Sequence, residues 1–207
     1  MDRVRLFRGP AHLRISSTRL DYRMVAQQAR AFIDLVRPTL ATLPTNITEP
    51  PNVTSSGLTF AACAATLLAL GIELHLKAVY IGSQIEPPET HSLIRLFENL
   101  PLPQRQDIES RYLSKLATVD PLRALTLNIR IRESKDPPVE WPSDPPFVPP
   151  DYSARAVLSR SANAFIAWRY FYEAVPHDRP FLTKVFDHVP LLMLSESLDE
   201  FIQANAR

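Results

Sequence analysis

The placement of proline constrains the fold of this chain more than any other sequence feature. The sequence has 20 prolines and only 4 glycines. Proline interrupts a helix interior because it lacks a backbone N–H donor and clashes with the preceding turn. Helices are therefore expected in the proline-free windows 11–37, 52–86, 104–120, 122–136, 151–175 and 191–207. Apolar residues recur at three- and four-residue spacing through most of each window, as in amphipathic helices.

The sequence pattern of the N-terminal half predicts four helices. The first should span 21–36 with Asp21 as its N-cap, because a carboxylate can accept from the first free backbone N–H groups. Its inward side chains are expected to be Tyr22, Val25, Ala29, Phe32, Ile33 and Val36. A longer, more apolar and therefore central helix should cover about 58–82. A short helix capped by Thr90 should run to Leu100, and the next, with Pro103 in its first turn, to about Val119.

The C-terminal half mixes helices with irregular segments. Residues 122–133 fit either a strand or a helix, whereas the proline-rich segment 136–150 should be an extended connection. That segment is either a stiff loop on its own domain or a ligand for an aromatic groove. Long helices are expected at 151–175 and 191–206, and short strands are allowed at 1–17 and 178–188.

These patterns together predict a single all-α domain over residues 1–207. It should be a bundle of five to six helices with its core at about 20–175 and with long proline-rich loops. A minor β-hairpin is compatible with the pattern.

Composition indicates a globular protein with no strong charge preference. The apolar fraction is 45% and the net charge is +1, so the total charge does not point to a polyanionic partner. The single cysteine, Cys63, lies in an apolar run, which predicts a buried thiol and a cytoplasmic protein. The uncharged run 58–72 is shorter than the roughly 20 residues of a membrane span, so no membrane association is expected.

The stretch AFIAWRYFYE, residues 164–173, is the most distinctive segment. On a helix its large aromatic side chains share one face; they are Phe165, Trp168, Phe171 and Tyr172. Arg169 and Glu173 sit four residues apart at the margin of that face, the spacing of an ion pair. A guanidinium beside such a face is costly unless it is paired or used. Arg169, Tyr172 and Glu173 are therefore candidate binding residues, and the aromatic helix is a candidate homodimer contact.

Polar residues also occur within the otherwise apolar sequence of the central helix. Glu73 and Lys77 fall on one stripe and His75 points nearly opposite. One interpretation is a structural ion pair at the rim of the core, and the other is a polar groove lined by this pair and Arg169. His75 is expected to be an isolated rim histidine, since no second ligand at a recognised spacing accompanies it. No metal site is predicted.

His91 is expected in the first turn of the short helix, where it could cap the helix or accept a proton. Nucleophile elbows, glycine-rich phosphate loops and zinc-binding spacings do not occur in the sequence, so no cofactor is predicted.

Three segments, ELHLKAVYI, THSLIRLFENLP and AFIAWRYFYE, resemble the HEPN superfamily of small helical domains from toxin–antitoxin and phage-defence systems. The resemblance covers roughly residues 58–175. It implies a bundle of four or more helices, usually dimeric, with a Glu-x-x-x-Lys helix and a later helix that carries a functional arginine. On this sequence those positions correspond to Glu73, Lys77 and Arg169.

Active members of the family are metal-independent ribonucleases with an Arg-x4-6-His motif. Here seven residues separate Arg169 from His177, and the one literal match, Arg5 to His12, lies outside the resembling region. The resemblance therefore implies a non-catalytic module that binds RNA, a nucleotide or a cognate protein. Two alternatives stay open. One is an active ribonuclease toxin with an altered motif that uses Arg169 and His177, and the other is an unrelated helical scaffold or oligomer subunit.

Overall fold

The structure is a computed structural model. It describes residues 21–42, 46–49, 56–119, 127–132, 150–162 and 181–205, and only the backbone of 46–49, 56–59, 127–132 and 181–185. The aromatic stretch 164–173 and the proline-rich segment up to residue 149 lie outside the described residues.

Six helices account for most of the described residues, which confirms the predicted all-α bundle. They are α1 (Tyr22–Thr42), α2 (Ser56–Gly82), α3 (Leu93–Glu98), α4 (Leu102–Leu116), α5 (Ala154–Arg160) and α6 (His188–Ala204). As predicted, the Asp21 carboxylate accepts a hydrogen bond from the Arg23 backbone N–H at 2.9 Å and so caps α1. Pro103 lies in the first turn of α4, also as predicted.

A small three-stranded sheet accompanies the bundle in the described residues. Its strands are β1 (Asn46–Glu49), β2 (Leu127–Arg132) and β3 (Phe181–Phe186). β2 is the central strand, parallel to β1 and antiparallel to β3. The ambiguous segment 122–133 thus contains a strand, and so does 178–188. The other segment for which a short strand was allowed, 1–17, lies outside the described residues.

The central position predicted for α2 is confirmed by its packing. α1 runs along one side of α2 so closely that a Cβ atom at Gly71 would lie 2.6 Å from Ile33 Cδ1. A side chain at position 71 would force the end of the Ile33 side chain to move, and its Cβ would lie 3.3 Å from the Ala29 carbonyl oxygen, so glycine allows the two helices to approach closely. α6 packs on α2 and α4, and α3 packs on α2 through apolar side chains such as Leu96 and Phe97. The core is thus a layer of helices around α2.

Two helix boundaries differ from the prediction because proline is better tolerated than assumed. α1 does not end at residue 36 but continues through Pro38 to Thr42. Pro38 is exposed, and burial of Leu40 beyond it favours the extra turn. α6 begins at His188, before Pro190, instead of at 191. A proline in the first turn removes no helical hydrogen bond, because the first four N–H groups have no partner within the helix.

The predicted helix 151–175 is not continuous. α5 ends at Arg160, and Ser161 and Ala162 form a turn. The Ala162 carbonyl accepts a hydrogen bond from the backbone N–H of Leu93, the first residue of α3, at 3.2 Å. This contact between distant segments holds the turn, and helix periodicity alone does not reveal it.

The exposure of α2 corrects one further prediction. Cys63 is exposed rather than buried, and it shares a stripe with Phe60, which is 57% exposed. By length and composition Phe60–Gly82 would also fit a membrane span, but 67% of its apolar stretch is buried inside the protein. Such burial is typical of the core helix of a globular domain.

Candidate functional site

A buried carboxylate on α2 forms the centre of the candidate site. Glu73 is only 3% exposed, yet it contacts two side chains that reach the surface. Lys77 Nζ donates to Glu73 Oε1 at 2.7 Å. His91 Nδ1 lies 3.0 Å from Oε1 and 3.2 Å from Oε2 of the same carboxylate. We call these three residues the Glu73 site.

Local sequence and packing both position the site. Lys77 follows Glu73 by one helical turn, the spacing at which side chains on one stripe meet. His91 comes from the segment before α3. That segment is held by the Thr90 hydroxyl, which accepts from the Ser92 N–H at 3.1 Å. Because the Tyr80 hydroxyl donates to the Leu96 carbonyl at 2.7 Å, α3 is fixed on α2 and His91 is brought over Glu73.

The position of His91 corrects the sequence prediction. Ser92, not Thr90, precedes the first residue of α3, so His91 lies outside the helix instead of in its first turn. The carboxylate of Glu73 therefore helps to orient the imidazole, and His91 is not part of the first turn of α3. Both His91 and the Glu73–Lys77 pair were candidates from sequence, and the structure brings all three together.

The geometry determines what the Glu73 site presents to solvent. When Nδ1–H of a neutral histidine donates to a carboxylate, the proton is fixed on Nδ1 and Nε2 becomes the acceptor. The His91 side chain is 64% exposed and that of Lys77 is 26% exposed. The site thus places an ammonium group and an oriented imidazole side by side at the surface above a buried negative charge.

His75 is not an isolated rim histidine as predicted, because it is buried in the interface of α2 and α6. Its exposure is 1%, and its Nδ1 lies 3.1 Å from Ser195 Oγ. Its Nε2 lies 3.7 Å from Asp199 Oδ1, and Asp199 is in turn bonded by Arg30. Burial lowers the pKa of His75 to about 4, outweighing Asp199, which raises it, while Arg30 lowers it further.

A second polar cluster was not predicted from sequence. Arg160 at the end of α5 donates to Asp187 Oδ2 at 2.7 Å, and its guanidinium lies 5.8 Å from the centre of the Tyr152 ring. The Tyr112 hydroxyl donates to the Tyr152 carbonyl at 2.8 Å, and burial raises the Tyr112 pKa well above its usual value. These contacts join α4, α5 and α6. They span up to 40 residues of sequence, so no spacing rule could have found them.

The other predicted site residues lie outside the described residues: Arg169, Tyr172, Glu173 and His177. Whether Arg169 joins the Glu73 site therefore stays a prediction. Among the residues that the structure describes, no group of three His, Cys, Asp or Glu side chains could hold a metal ion.

Comparisons of the chain with protein-family models, with curated proteins and with solved structures give no match. The resemblance to the HEPN superfamily therefore rests on the three sequence segments alone.

Proposed function

We propose that this protein is a HEPN-like helical module that binds RNA without cleaving it, and that the Glu73 site forms part of the RNA-binding surface. The observation that supports this most is the buried Glu73 carboxylate, which holds Lys77 and His91 at one point of the surface. A cationic side chain and an imidazole placed together suit the phosphate and sugar groups of an RNA strand.

Burial of Glu73 matters for this role. A freely mobile lysine loses side-chain entropy when it binds a phosphate, whereas Lys77 is already positioned by its 2.7 Å bond. The ammonium has three N–H donors, of which Glu73 uses one. The carboxylate itself is shielded from solvent, so an approaching phosphate meets the donors before it meets the negative charge.

The absence of cleavage in this proposal follows from the sequence pattern. Seven residues separate Arg169 from His177, one more than the family motif allows. The proposal includes a homodimer and a toxin or defence context, both carried by the family resemblance, and a cytoplasmic location, which the single cysteine predicts. Light scattering tests the dimer directly: a clean monomer at high micromolar concentration would remove that part of the proposal.

RNA binding is tested by fluorescence anisotropy with a labelled single-stranded 20-nucleotide RNA. Lys77→Gln and His91→Gln are each expected to weaken binding about three- to tenfold, which corresponds to the loss of one favourable contact. Lys115→Gln is the matched control, since Lys115 is 25% exposed and also ion-paired, through Glu200, but lies on α4. Equal losses for all three variants would mean that the site has no special role.

The same RNA, incubated with wild-type protein and analysed on a denaturing gel, should remain intact. Cleavage that disappears in His177→Ala would replace the proposal with the active ribonuclease. Binding that is undetectable at every salt concentration, together with intact RNA, would favour the helical scaffold.

Arg169 provides an independent test of the family resemblance. Arg169→Ala is expected to lower RNA affinity while the midpoint of thermal unfolding stays near that of the wild type. A large loss of stability with unchanged RNA binding would assign Arg169 to the fold instead.

A further inference from the structure

A cavity of about 500 Å³ lies at one end of the bundle, where the start of α1, the end of α2, the start of α4 and the end of α6 meet. None of its lining residues belongs to the Glu73 site. The volume falls within the range of ordinary small-molecule sites. Four separate elements contribute to the lining, so the cavity is a feature of the bundle and not a groove on one helix.

Apolar side chains form much of the cavity wall. The ring of Tyr22 lies on one side, and Val79, Phe201 and Ile202 contribute from the ends of α2 and α6. The guanidinium of Arg23 lies 5.6 Å from the centre of the Tyr22 ring. A ligand's apolar body, and not its positive charge, is therefore expected to pack beside Tyr22.

One part of the polar wall is held rigid by a chain of hydrogen bonds. The Ser83 hydroxyl donates to the Val79 carbonyl at 2.7 Å. Having used its single proton, it can only accept from Gln104, whose Nε2 lies 2.8 Å away. The orientation of the Gln104 amide is fixed in this way, and the bond holds the first turn of α4 beside the end of α2.

Asp107 decides the charge preference of the cavity, because it is the charged residue among those that line it in the described part of the chain. Arg111 donates through Nε to Asp107 Oδ1 at 2.8 Å, whereas its contact to Oδ2 is longer, 3.4 Å. The carboxylate thus keeps acceptor capacity for a second donor. The Asp107 side chain is 43% exposed and Arg111 offsets part of its charge, but its carboxylate oxygens remain acceptors that an ammonium group can bond and that an anionic ligand cannot.

We propose that this cavity binds a small organic amine, protonated at neutral pH, whose apolar or aromatic body packs against Tyr22, Phe201 and Ile202 while its ammonium group bonds to Asp107. Such a ligand matches both the apolar wall and the carboxylate of Asp107. The inference does not depend on RNA binding, because the two sites share no residue.

Gly82 offers a way to block the cavity without disturbing the core. A Cβ atom there would lie 3.5 Å from the Tyr22 ring, an ordinary contact, and the glycine does not have a positive φ. Alanine at position 82 is therefore tolerated, whereas the larger side chain of Gly82→Leu extends toward Tyr22 and occupies the cavity.

The test uses two probes with the same ring and opposite charge, tryptamine and indole-3-acetate, titrated into the full chain and followed by protein NMR. Tryptamine is expected to bind with a Kd of roughly 1 mM, as for a ligand of about a dozen heavy atoms, and indole-3-acetate at least tenfold more weakly. Asp107→Asn should weaken tryptamine binding about fivefold or more, and Gly82→Leu should abolish it.

Glu109→Gln is the control for Asp107→Asn, since it removes a carboxylate from the same helix that does not line the cavity. Gly82→Ala is the control for Gly82→Leu. The proposal is overturned if both probes bind equally, if Asp107→Asn and Glu109→Gln have the same effect, or if tryptamine shifts no cavity resonance at 10-fold its expected Kd.

Discussion

Glu73 and His75 lie two residues apart on α2, both are buried and ionisable, and the fold uses them differently. The partners of Glu73 reach solvent through the side chains of Lys77 and His91. The hydrogen-bond partner of His75 is Ser195, which is as deeply buried as the histidine itself. The comparison shows that burial of an ionisable group does not by itself mark a functional site; the exposure of its partners distinguishes the two cases.

The electrostatic solutions also differ. Glu73 is surrounded by groups that carry or can accept a positive charge, so its negative charge is compensated where it stands. His75 avoids the cost of a buried charge by staying neutral, and burial lowers its pKa to about 4. The Glu73 side of α2 therefore retains charged groups that are paired, whereas His75 on the other side is kept neutral by burial.

Lowering the pH should have the largest effect on stability, and it should act through His75 and not through the Glu73 site. Because the unfolded histidine has a pKa near 6.5 and the folded one has a pKa of about 4, the unfolded state binds a proton first as the pH falls. The contribution of neutral His75 is fully present above pH 6.5 and decreases toward pH 4, by about 3 kcal/mol in total. Urea unfolding at several pH values measures it. His75→Gln should lack this decrease, and an unchanged pH profile in that variant would contradict the assignment.

Removal of the ammonium at the Glu73 site should have the next largest effect. Lys77→Met leaves the buried carboxylate with His91 as its partner among the described residues and is expected to lower the free energy of unfolding by about 2 kcal/mol. Lys115→Met, the matched change of a lysine whose partner Glu200 is 49% exposed, should lower it by less than about 1 kcal/mol. If both variants lose the same stability, the buried carboxylate is not special.

A hydroxyl deletion probes the His75 side. Ser195→Ala leaves His75 Nδ1 without its hydrogen-bond partner and should destabilise the protein by about 1.5 kcal/mol. Ser197→Ala is the control, since Ser197 is equally buried but donates to the Met193 carbonyl within its own helix. Its loss is expected to remain below about 0.5 kcal/mol, because a helical carbonyl retains a backbone partner. Chemical denaturation of both variants at pH 7 gives the difference.

The smallest stability effect belongs to the exposed member of the Glu73 site. His91→Gln should change the free energy of unfolding by less than about 0.5 kcal/mol, as is usual for surface positions. The same substitution should weaken RNA binding, so stability and function separate at this residue. A loss of more than about 1 kcal/mol in the free energy of unfolding would mean that His91 has a structural role.

Local patterns predicted those parts of the molecule that depend on neighbours in sequence. The helical class, the central position of α2 and the Glu73–Lys77 pair all follow from spacings of three or four residues. The contact of His91 with Glu73 joins residues 18 apart, and that of His75 with Ser195 joins residues 120 apart. Pairings at such distances are fixed by tertiary packing, so periodicity could nominate His91 but could not place His75 in the core.

The sheet illustrates the same limit. The alternating segment that became β2 carried a recognisable strand pattern, whereas β1 lies in a connection rich in proline, threonine and asparagine. β1 forms because β2, far along the chain, offers its backbone for parallel pairing. The two helix boundaries at Pro38 and Pro190 were wrong for a different reason, since proline was treated as a stop regardless of where it falls in the helix.

The most direct test of the central claim is the salt dependence of RNA binding by wild-type protein, Lys77→Gln and Lys115→Gln. A plot of the logarithm of the affinity against that of the salt concentration has a slope set by the number of phosphate contacts. Loss of Lys77 should reduce the magnitude of that slope by about 0.7, the value for one contact to single-stranded RNA, while the Lys115 variant keeps the wild-type slope. Identical slopes for all three proteins would show that the ammonium held by Glu73 does not contact RNA.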